Sequence, residues 1–419
     1  MVRVGQDSCA VNKEGTRPST LAKAASFLAL RRNTSLLLVM LVLAGTGERL
    51  WLGFAPKYLQ SLGASVLIIG LFDALHTLLG ALYAYPGGWL TDRWGQRRSL
   101  LLFNALALAG YVVVLVWQHW LALLLGSFLF LAWSALSLPA TFTVVATSLD
   151  ATKHTMGIGV QSLVRRVPMM LGPLAGGWLV TRFGWRDGVQ FALLGCIAFS
   201  VATAVFQWFI KDEVEESRPT TRPTTRTSFV TVVRGFSPVL RELLVSDILI
   251  RFCERIPYAF VILWAMDHGG VTAQQFGFLI TVEMVTAMLC YVPVAHLADK
   301  YGRRPFVLAT FVFFTLFPLS LLWADNFAWL AFAFAVRGLK EFGEPARKAL
   351  ILAEAPPELR ARTYGAYYLI RDCVVTSGSL LGAWLWSVSP QANFLGAAVF
   401  GALGALWFWR YIYRRPQPH

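Results

Sequence analysis

The chain has 419 residues, of which 56% are hydrophobic and only 14% charged, with mean hydropathy +0.57; that excludes a soluble globule of this length, which would carry about a quarter charged residues. The 37 Lys and Arg exceed the 23 Asp and Glu to give a net charge of +14, yet the basic residues sit in alternate loops beside apolar runs. They form no basic domain with interleaved aromatics, so nucleic acid is excluded as a partner, and the absence of apolar–polar alternation excludes a transmembrane β-barrel.

A polar segment, residues 1–33, ends in Arg31 and Arg32 without a small-residue cleavage site, so the first apolar run is expected to be an uncleaved anchor. Apolar runs then fall near residues 34–60, 65–91, 99–117, 120–148, 155–181 and 188–210. After a polar break they resume near 243–266, 272–298, 305–324, 327–353, 361–388 and 392–412. Each is long enough to cross a hydrocarbon core of about 30 Å as a helix. The expectation is an all-α membrane protein of twelve transmembrane helices, divided into a half at 34–210 and a half at 243–412. The break at 211–242 contains DEVEESRPTTRPTTR, a charged, Pro- and Thr-rich tract that reads as a linker, and its last part, Phe229 to Leu240, reads as a short interfacial helix. Residues 413–419 form a tail.

With the amino terminus in the cytoplasm, the loops on that side hold Arg93, Arg97, Arg98, Lys153, Lys211, Arg218, Lys300, Arg303, Arg304, Arg360 and Arg362, while the other side keeps chiefly Lys57, Arg182 and Arg186. This bias orients both termini toward the cytoplasm, in a bacterial inner membrane. Cys9, Cys196, Cys253, Cys290 and Cys373 show no metal or CxxC spacing and read as packing residues.

The halves repeat one another. GGWLTDRWGQRR, Gly87 to Arg98, returns as AHLADKYGRR, Ala295 to Arg304; Glu48-Arg49 aligns with Glu254-Arg255, and Gly159, Arg165, Gly172, Gly176 and Trp178 align with Gly365, Arg371, Gly378, Gly382 and Trp384 at an offset of 206 residues. Glycine suits a turn too tight for a Cβ, aspartate can accept backbone N–H groups at a helix start, and arginine holds the loop on the cytoplasmic face.

These residues resemble the major facilitator superfamily over essentially the whole chain. Its loop signature, roughly G-x-L-A-D-x-x-G-R-K/R, is matched by Gly88, Leu90, Asp92, Gly95 and Arg97, and again by Leu297, Ala298, Asp299, Gly302, Arg303 and Arg304; Thr91, Gln96 and Ala295 depart from it. The resemblance implies that the loop latches the halves in the outward-facing state, with Asp150 as a partner for Arg93. GPLAGGW, Gly172 to Trp178, with Gly159 upstream, resembles the family's antiporter motif, with Pro168 where another glycine is usual. Gly159, Gly172, Pro173, Gly176 and Gly177 are expected at a close helix–helix approach.

Charged residues within the runs are costly unless they face protein or water. Helices 3, 6, 9 and 12 have long stretches without any, whereas the others except helix 4 carry them. Two symmetry-related arginine pairs, Arg49 with Arg255 and Arg165 with Arg371, together with Lys340, are candidate solute ligands, because guanidinium forks suit carboxylate or phosphate; pairing with buried carboxylates is the competing role. Arg337, Glu341, Glu344 and Lys348 follow i, i+4, i+7, i+11 and read as one polar face of helix 10, paired along the helix and bent at Pro345. Candidate proton-coupling carboxylates are Glu283, aligned with His76 across the repeat, and Glu48, Glu254, Asp73 and Glu341.

The expected function is secondary active transport of a small organic solute, anionic or zwitterionic, by alternating access, coupled to protons, with export favoured. The alternatives are a proton-independent anion or organophosphate exchanger, an uptake symporter, and a non-transporting sensor or assembly factor. P-loop, GxSxG and HExxH motifs and metal-spaced His and Cys clusters are absent from the sequence, so neither enzyme activity, a cofactor nor a metal is expected. The expected partners are the solute, protons and the lipid bilayer, and the expected state is a monomer.

Overall fold

The structure is a computed structural model that describes residues 32–148, 164–210, 229–356 and 359–415. The first half comprises α1 (Arg32–Leu52), α2 (Ala55–Ser61), α3 (Val66–Trp94), α4 (Gln96–Val116), α5 (Trp120–Ser148), α6 (Arg166–Phe183) and α7 (Trp185–Trp208). A short α8 (Phe229–Arg234) precedes the second half: α9 (Pro238–Tyr258), α10 (Val261–Asp267), α11 (Ala273–Tyr301), α12 (Arg303–Leu322), α13 (Phe327–Leu339), α14 (Glu344–Ala353), α15 (Arg360–Val388) and α16 (Pro390–Phe408), which ends in a π turn, Trp409–Tyr413. Among the described residues, seven helical segments are long and apolar enough to cross a membrane, beginning at Ser35, Val66, Gln96, Trp185, Ala273, Arg303 and Pro390.

Sequence sets the ends. Ser237 and Ser389 each accept the amide of the residue three positions on and are followed by proline in the first turn, and Thr272 and Gln275 close a reciprocal capping box before α11. The interfacial helix expected to run to Leu240 stops at Arg234, because Ser237 and Pro238 start α9 there. The first and seventh spans break at equivalent positions, 53–54 and 259–260, one repeat of 206 residues apart. Gly95, at φ +82°, and Gly302, at φ +88°, are one-residue junctions between α3 and α4 and between α11 and α12, a conformation that L side chains disfavour.

The halves meet where α3 packs on α15 and α6 packs on α11. Close approach requires small residues there: a Cβ on Gly177 would lie 2.4 Å from the Ala273 carbonyl oxygen, and one on Gly277 2.3 Å from that of Pro173. At the end bearing α2 and α10, a single apolar cluster containing Phe54, Trp264 and Phe276 runs through both halves, and Lys57 pairs with Asp267. Toward the opposite end, the cluster of Phe236, Leu240, Phe311, Phe408 and Ile412 belongs to the second half alone. Among the described residues, a core shared by both halves lies at the end bearing α2 and α10.

Candidate functional site

The second half holds a dense network of buried ion pairs at mid-span. Its centre is Asp247 on α9, fully buried, whose Oδ2 lies 2.5 Å from Nη1 of Arg347 on α14 and 3.4 Å from Nη1 of Arg371 on α15, and accepts a hydrogen bond from the Tyr367 hydroxyl at 3.2 Å. Arg347 also grips Glu344 with Nε and Nη2 at 3.1 and 2.7 Å. Arg251, one turn after Asp247, bridges Glu344 at 2.7 Å and Glu254 at 2.6 Å. Lys340 lies 3.0 Å from Glu254 and 3.3 Å from Glu283, and Arg337 lies 3.3 Å from the same Glu283 oxygen. Arg371 closes the chain by pairing with its neighbour Asp372 at 2.7 Å. Each charge is held by a partner on a different helix or within one turn, which is the condition for keeping ions in a low-dielectric interior.

Two further pairs cross between the halves. Arg255 on α9 reaches Asp73 on α3 at 3.4 Å, and Asp73 also accepts a 2.5 Å hydrogen bond from Ser379 on α15. Arg166 on α6 reaches Glu341 at 3.1 Å. Asp73, Asp247, Glu254, Glu283, Glu341, Glu344 and Asp372 are therefore matched one for one by Arg166, Arg251, Arg255, Arg337, Lys340, Arg347 and Arg371.

The first half is different. Glu48 is buried on α1, and its charged neighbours are Arg49 and Arg165, with Ser134 of α5 beside it. Neither arginine makes an ion pair within 4 Å among the described residues, so one carboxylate stands among two guanidinium groups. Gly172 presses on this site: a Cβ there would lie 2.4 Å from Arg49 Cβ. His76 on α3 has Arg49 and Arg255 as charged neighbours, and its Nε2 is buried without a hydrogen-bond partner.

The continuous polar face expected on helix 10 is not present. The helix stops at Leu339, Lys340 to Gly343 form a turn, and α14 starts at Glu344 with Pro345 in its first turn, so the proline starts a helix and does not bend one. The Gly343 amide donates to the Thr310 hydroxyl at 2.5 Å, and a Cβ there would lie 2.3 Å from the Phe306 carbonyl oxygen. With the helix broken, Arg337 and Glu341 pair across helices, Glu344 keeps a partner on its own helix in Arg347, and Lys348 is exposed.

At the repeated loop, Asp92 and Asp299 fall in the last turns of α3 and α11 and not at a helix start, because each junction is a single glycine; α4 and α12 have no acidic residue in their first turns. Arg93 lies over the Trp89 ring at 5.2 Å, Arg97 over the Trp208 ring at 4.4 Å, and Arg303 donates to the Ala349 carbonyl at 3.4 Å. Gly88 lies in α3, whereas Asp150 and Gly159 lie outside the described residues. On α6, Gly172, Pro173, Gly176 and Gly177 are buried, and Gly176 touches backbone directly: a Cβ would lie 1.7 Å from the Leu50 carbonyl oxygen.

Sequence reasoning missed Asp247, the hub of the network. Its signal was its place four residues before Arg251, on the same helical face.

Two pseudo-repeated helical halves, closed together at one end and lined at mid-span with paired charges, define a membrane transporter. The chain belongs to the Major Facilitator Superfamily, whose sequence pattern matches residues 37–266 and 243–419. It is 26% identical over 405 residues to the multidrug resistance protein MdtG of Proteus mirabilis, covering 90% of this chain and 94% of that one. It is 23% identical over 407 residues to a multi-drug resistance efflux pump PmrA homolog of Lactococcus lactis, covering 92% and 97%. Among solved structures, a peptide transporter in complex with sulfate superposes with TM-score 0.73 at 14% identity over 91% of this chain and 94% of that one. A bacterial homolog of the human lysosomal transporter Spinster, inward-facing and unoccupied, superposes with TM-score 0.70 at 15% identity over 94% and 99%. These two share the fold. Membership makes this a multi-pass membrane transport protein for small molecules, and not an enzyme.

Proposed function

We propose that this chain exports a small anionic or zwitterionic organic solute by alternating access, in exchange for protons. The observation that carries the reading is the charge imbalance in the first half: among the described residues, Arg49 and Arg165 have only Glu48 between them, against a second network whose charges are matched. A site with one guanidinium in surplus favours a ligand that brings a carboxylate or phosphate. His76, whose Nε2 is buried without a hydrogen-bond partner, is a further polar group open to a solute. Export is supported by the names of the curated relatives, a multidrug resistance protein and an efflux pump homolog. Proton coupling is supported by the buried carboxylates, which can neutralise on protonation. The excess of basic residues in the loops with the repeated motif supports a cytoplasmic position for that end and for both termini, in a bacterial inner membrane. The end tied by Lys57 and Asp267 is then the outer one, so the form described is closed to the outside. A single chain contains both halves and acts as a monomer.

The test is transport in proteoliposomes. Organic anions, phosphorylated metabolites, sugars and lipophilic cations are loaded singly, and flux is driven by an imposed pH gradient. The reading expects flux of an anionic or zwitterionic member, with Arg49→Gln and Arg165→Gln each lowering it at least tenfold. Flux of cations alone overturns it, and exchange that persists after the gradient is collapsed removes the proton.

A further inference from the structure

The last span ends in charges that the buried network does not use. Pro390–Tyr413 is long and apolar enough to cross a membrane, so its π turn, Trp409–Tyr413, and the arginines that follow fall where hydrocarbon gives way to headgroups. Leu395, Val399, Leu403 and Leu406 are all exposed and recur at helical spacing, as one stripe along α16. Arg410 and Arg414, both exposed, continue the stripe at four-residue steps after Leu406. An apolar track that ends in two guanidinium groups matches an acyl chain below an anionic headgroup.

The π turn sets the second arginine. Its closing bond runs from the Arg414 amide to the Trp409 carbonyl at 3.3 Å, one residue longer than an α turn. That extra residue carries the Arg414 guanidinium over Trp409, 3.7 Å from the centre of the ring. Stacking shields one face of the guanidinium from water and leaves its N–H edges free for a two-pronged contact with phosphate. Arg410 lies over Tyr411 at 5.6 Å, and residues four apart share a helical face, so the two arginines stand together.

Neither arginine makes an ion pair among the described residues. Glu242, on the adjacent α9, accepts the Trp407 indole N–H at 2.9 Å, and the Arg415 carbonyl at the end of the turn is taken by Arg304. The internal repeat does not call for the pair either: at the offset of 206 residues the sixth span has Ala204 and Trp208.

We propose that the carboxyl end of α16 is a binding site for an anionic phospholipid. Arg410 and Arg414 hold the phosphodiester, and Leu403 and Leu406 lie under an acyl chain. A zwitterionic phospholipid fits less well, because its ammonium group offsets the phosphate and meets two cations.

The test is native mass spectrometry of the purified full-length protein, released from mixed micelles holding equal amounts of phosphatidylglycerol and phosphatidylcholine with identical acyl chains. A basic residue near the membrane surface is worth about fivefold in affinity for an anionic lipid, so the parent should retain phosphatidylglycerol over phosphatidylcholine by about an order of magnitude. Arg410→Gln with Arg414→Gln should remove that preference. Arg414→Lys keeps the charge but not the planar fork and should lower the preference about threefold, whether or not the double variant folds. Lys348→Gln with Arg360→Gln, which removes two exposed basic residues elsewhere, should leave it as in the parent. Glycerol phosphate in millimolar excess should displace no lipid, because it has no chain to lie on the apolar stripe. Equal retention of both lipids by the parent, an unchanged preference in the double variant or in Arg414→Lys, an equal loss in the Lys348 and Arg360 variant, or displacement by glycerol phosphate overturns the assignment. None of these outcomes bears on the anionic solute, which is judged on flux and on Arg49 and Arg165.

Discussion

Replacing Arg347 by methionine removes the most deeply buried cation of the network. Its side chain is 1% exposed and holds Asp247 at 2.5 Å and Glu344 at 2.7 and 3.1 Å. Afterwards Asp247 keeps Arg371 at 3.4 Å and Tyr367 at 3.2 Å, and Glu344 keeps Arg251 at 2.7 Å. Breaking a buried pair from one side costs about 3 to 5 kcal/mol, and the surviving partners put this case at the low end, about 3 kcal/mol. At roughly 2 to 4 °C per kcal/mol for a unit the size of one half, melting should fall by roughly 6 to 12 °C. The assay is thermal unfolding of the purified protein followed by tryptophan fluorescence. The double variant Asp247→Asn with Arg347→Met, which removes both charges and leaves the Tyr367 hydroxyl an acceptor, should melt above Arg347→Met alone. A single variant within about 1 °C of the parent, or strict additivity in the double variant, would refute the claim that the two charges depend on each other.

Other substitutions probe the contacts around this core. Gly176→Ala pushes a methyl group into the Leu50 carbonyl and should cost about 1 to 3 kcal/mol in melting experiments, whereas Gly365→Ala, with nothing within 4 Å, should be neutral or stabilising by up to about 1 kcal/mol. Lys57→Gln, in the partly exposed pair with Asp267, should change stability by less than about 1 kcal/mol. The same change should speed labelling of a Tyr58→Cys variant by a membrane-impermeant maleimide, because Tyr58 is buried in the closed end; equal labelling rates would show that the pair does not help close it. Asp73→Asn, which removes the Arg255 pair and weakens the Ser379 bond between halves, should raise the same labelling.

The class of fold is written in hydropathy, and the repeat in the 206-residue offset that links Glu48-Arg49 to Glu254-Arg255 and Arg165 to Arg371. Those signals follow from local sequence and survive translation into structure, down to the glycine junctions at Gly95 and Gly302. Pairing across helices is a different kind of fact. Arg49 and Arg255 are equivalent by symmetry, yet Arg255 is tied to Asp73 and Arg49 makes no ion pair among the described residues. That difference comes from Asp73, a first-half carboxylate that reaches the second half, while the pairs within the second half use charges that the first half lacks: Asp247 answers to Leu41, Arg251 to Gly45 and Arg347 to Thr141 at the repeat offset. Periodicity placed Arg337, Glu341, Glu344 and Lys348 on one face, but only on the assumption of an unbroken helix. The turn at 340–343 is stabilised by Thr310 and Phe306 from α12, a tertiary cause that a single span does not display.

The surplus guanidinium of the first half is tested most directly by ligand stabilisation. Purified parent protein and Arg49→Gln are melted against organic anions, zwitterions, neutral sugars and lipophilic cations under identical salt. An anionic or zwitterionic compound should raise the melting temperature of the parent, and Arg49→Gln should abolish that rise without lowering the ligand-free value by more than about 2 °C, since Arg49 makes no ion pair among the described residues. Stabilisation by cations alone, or by anions to the same extent in Arg49→Gln, would contradict the account.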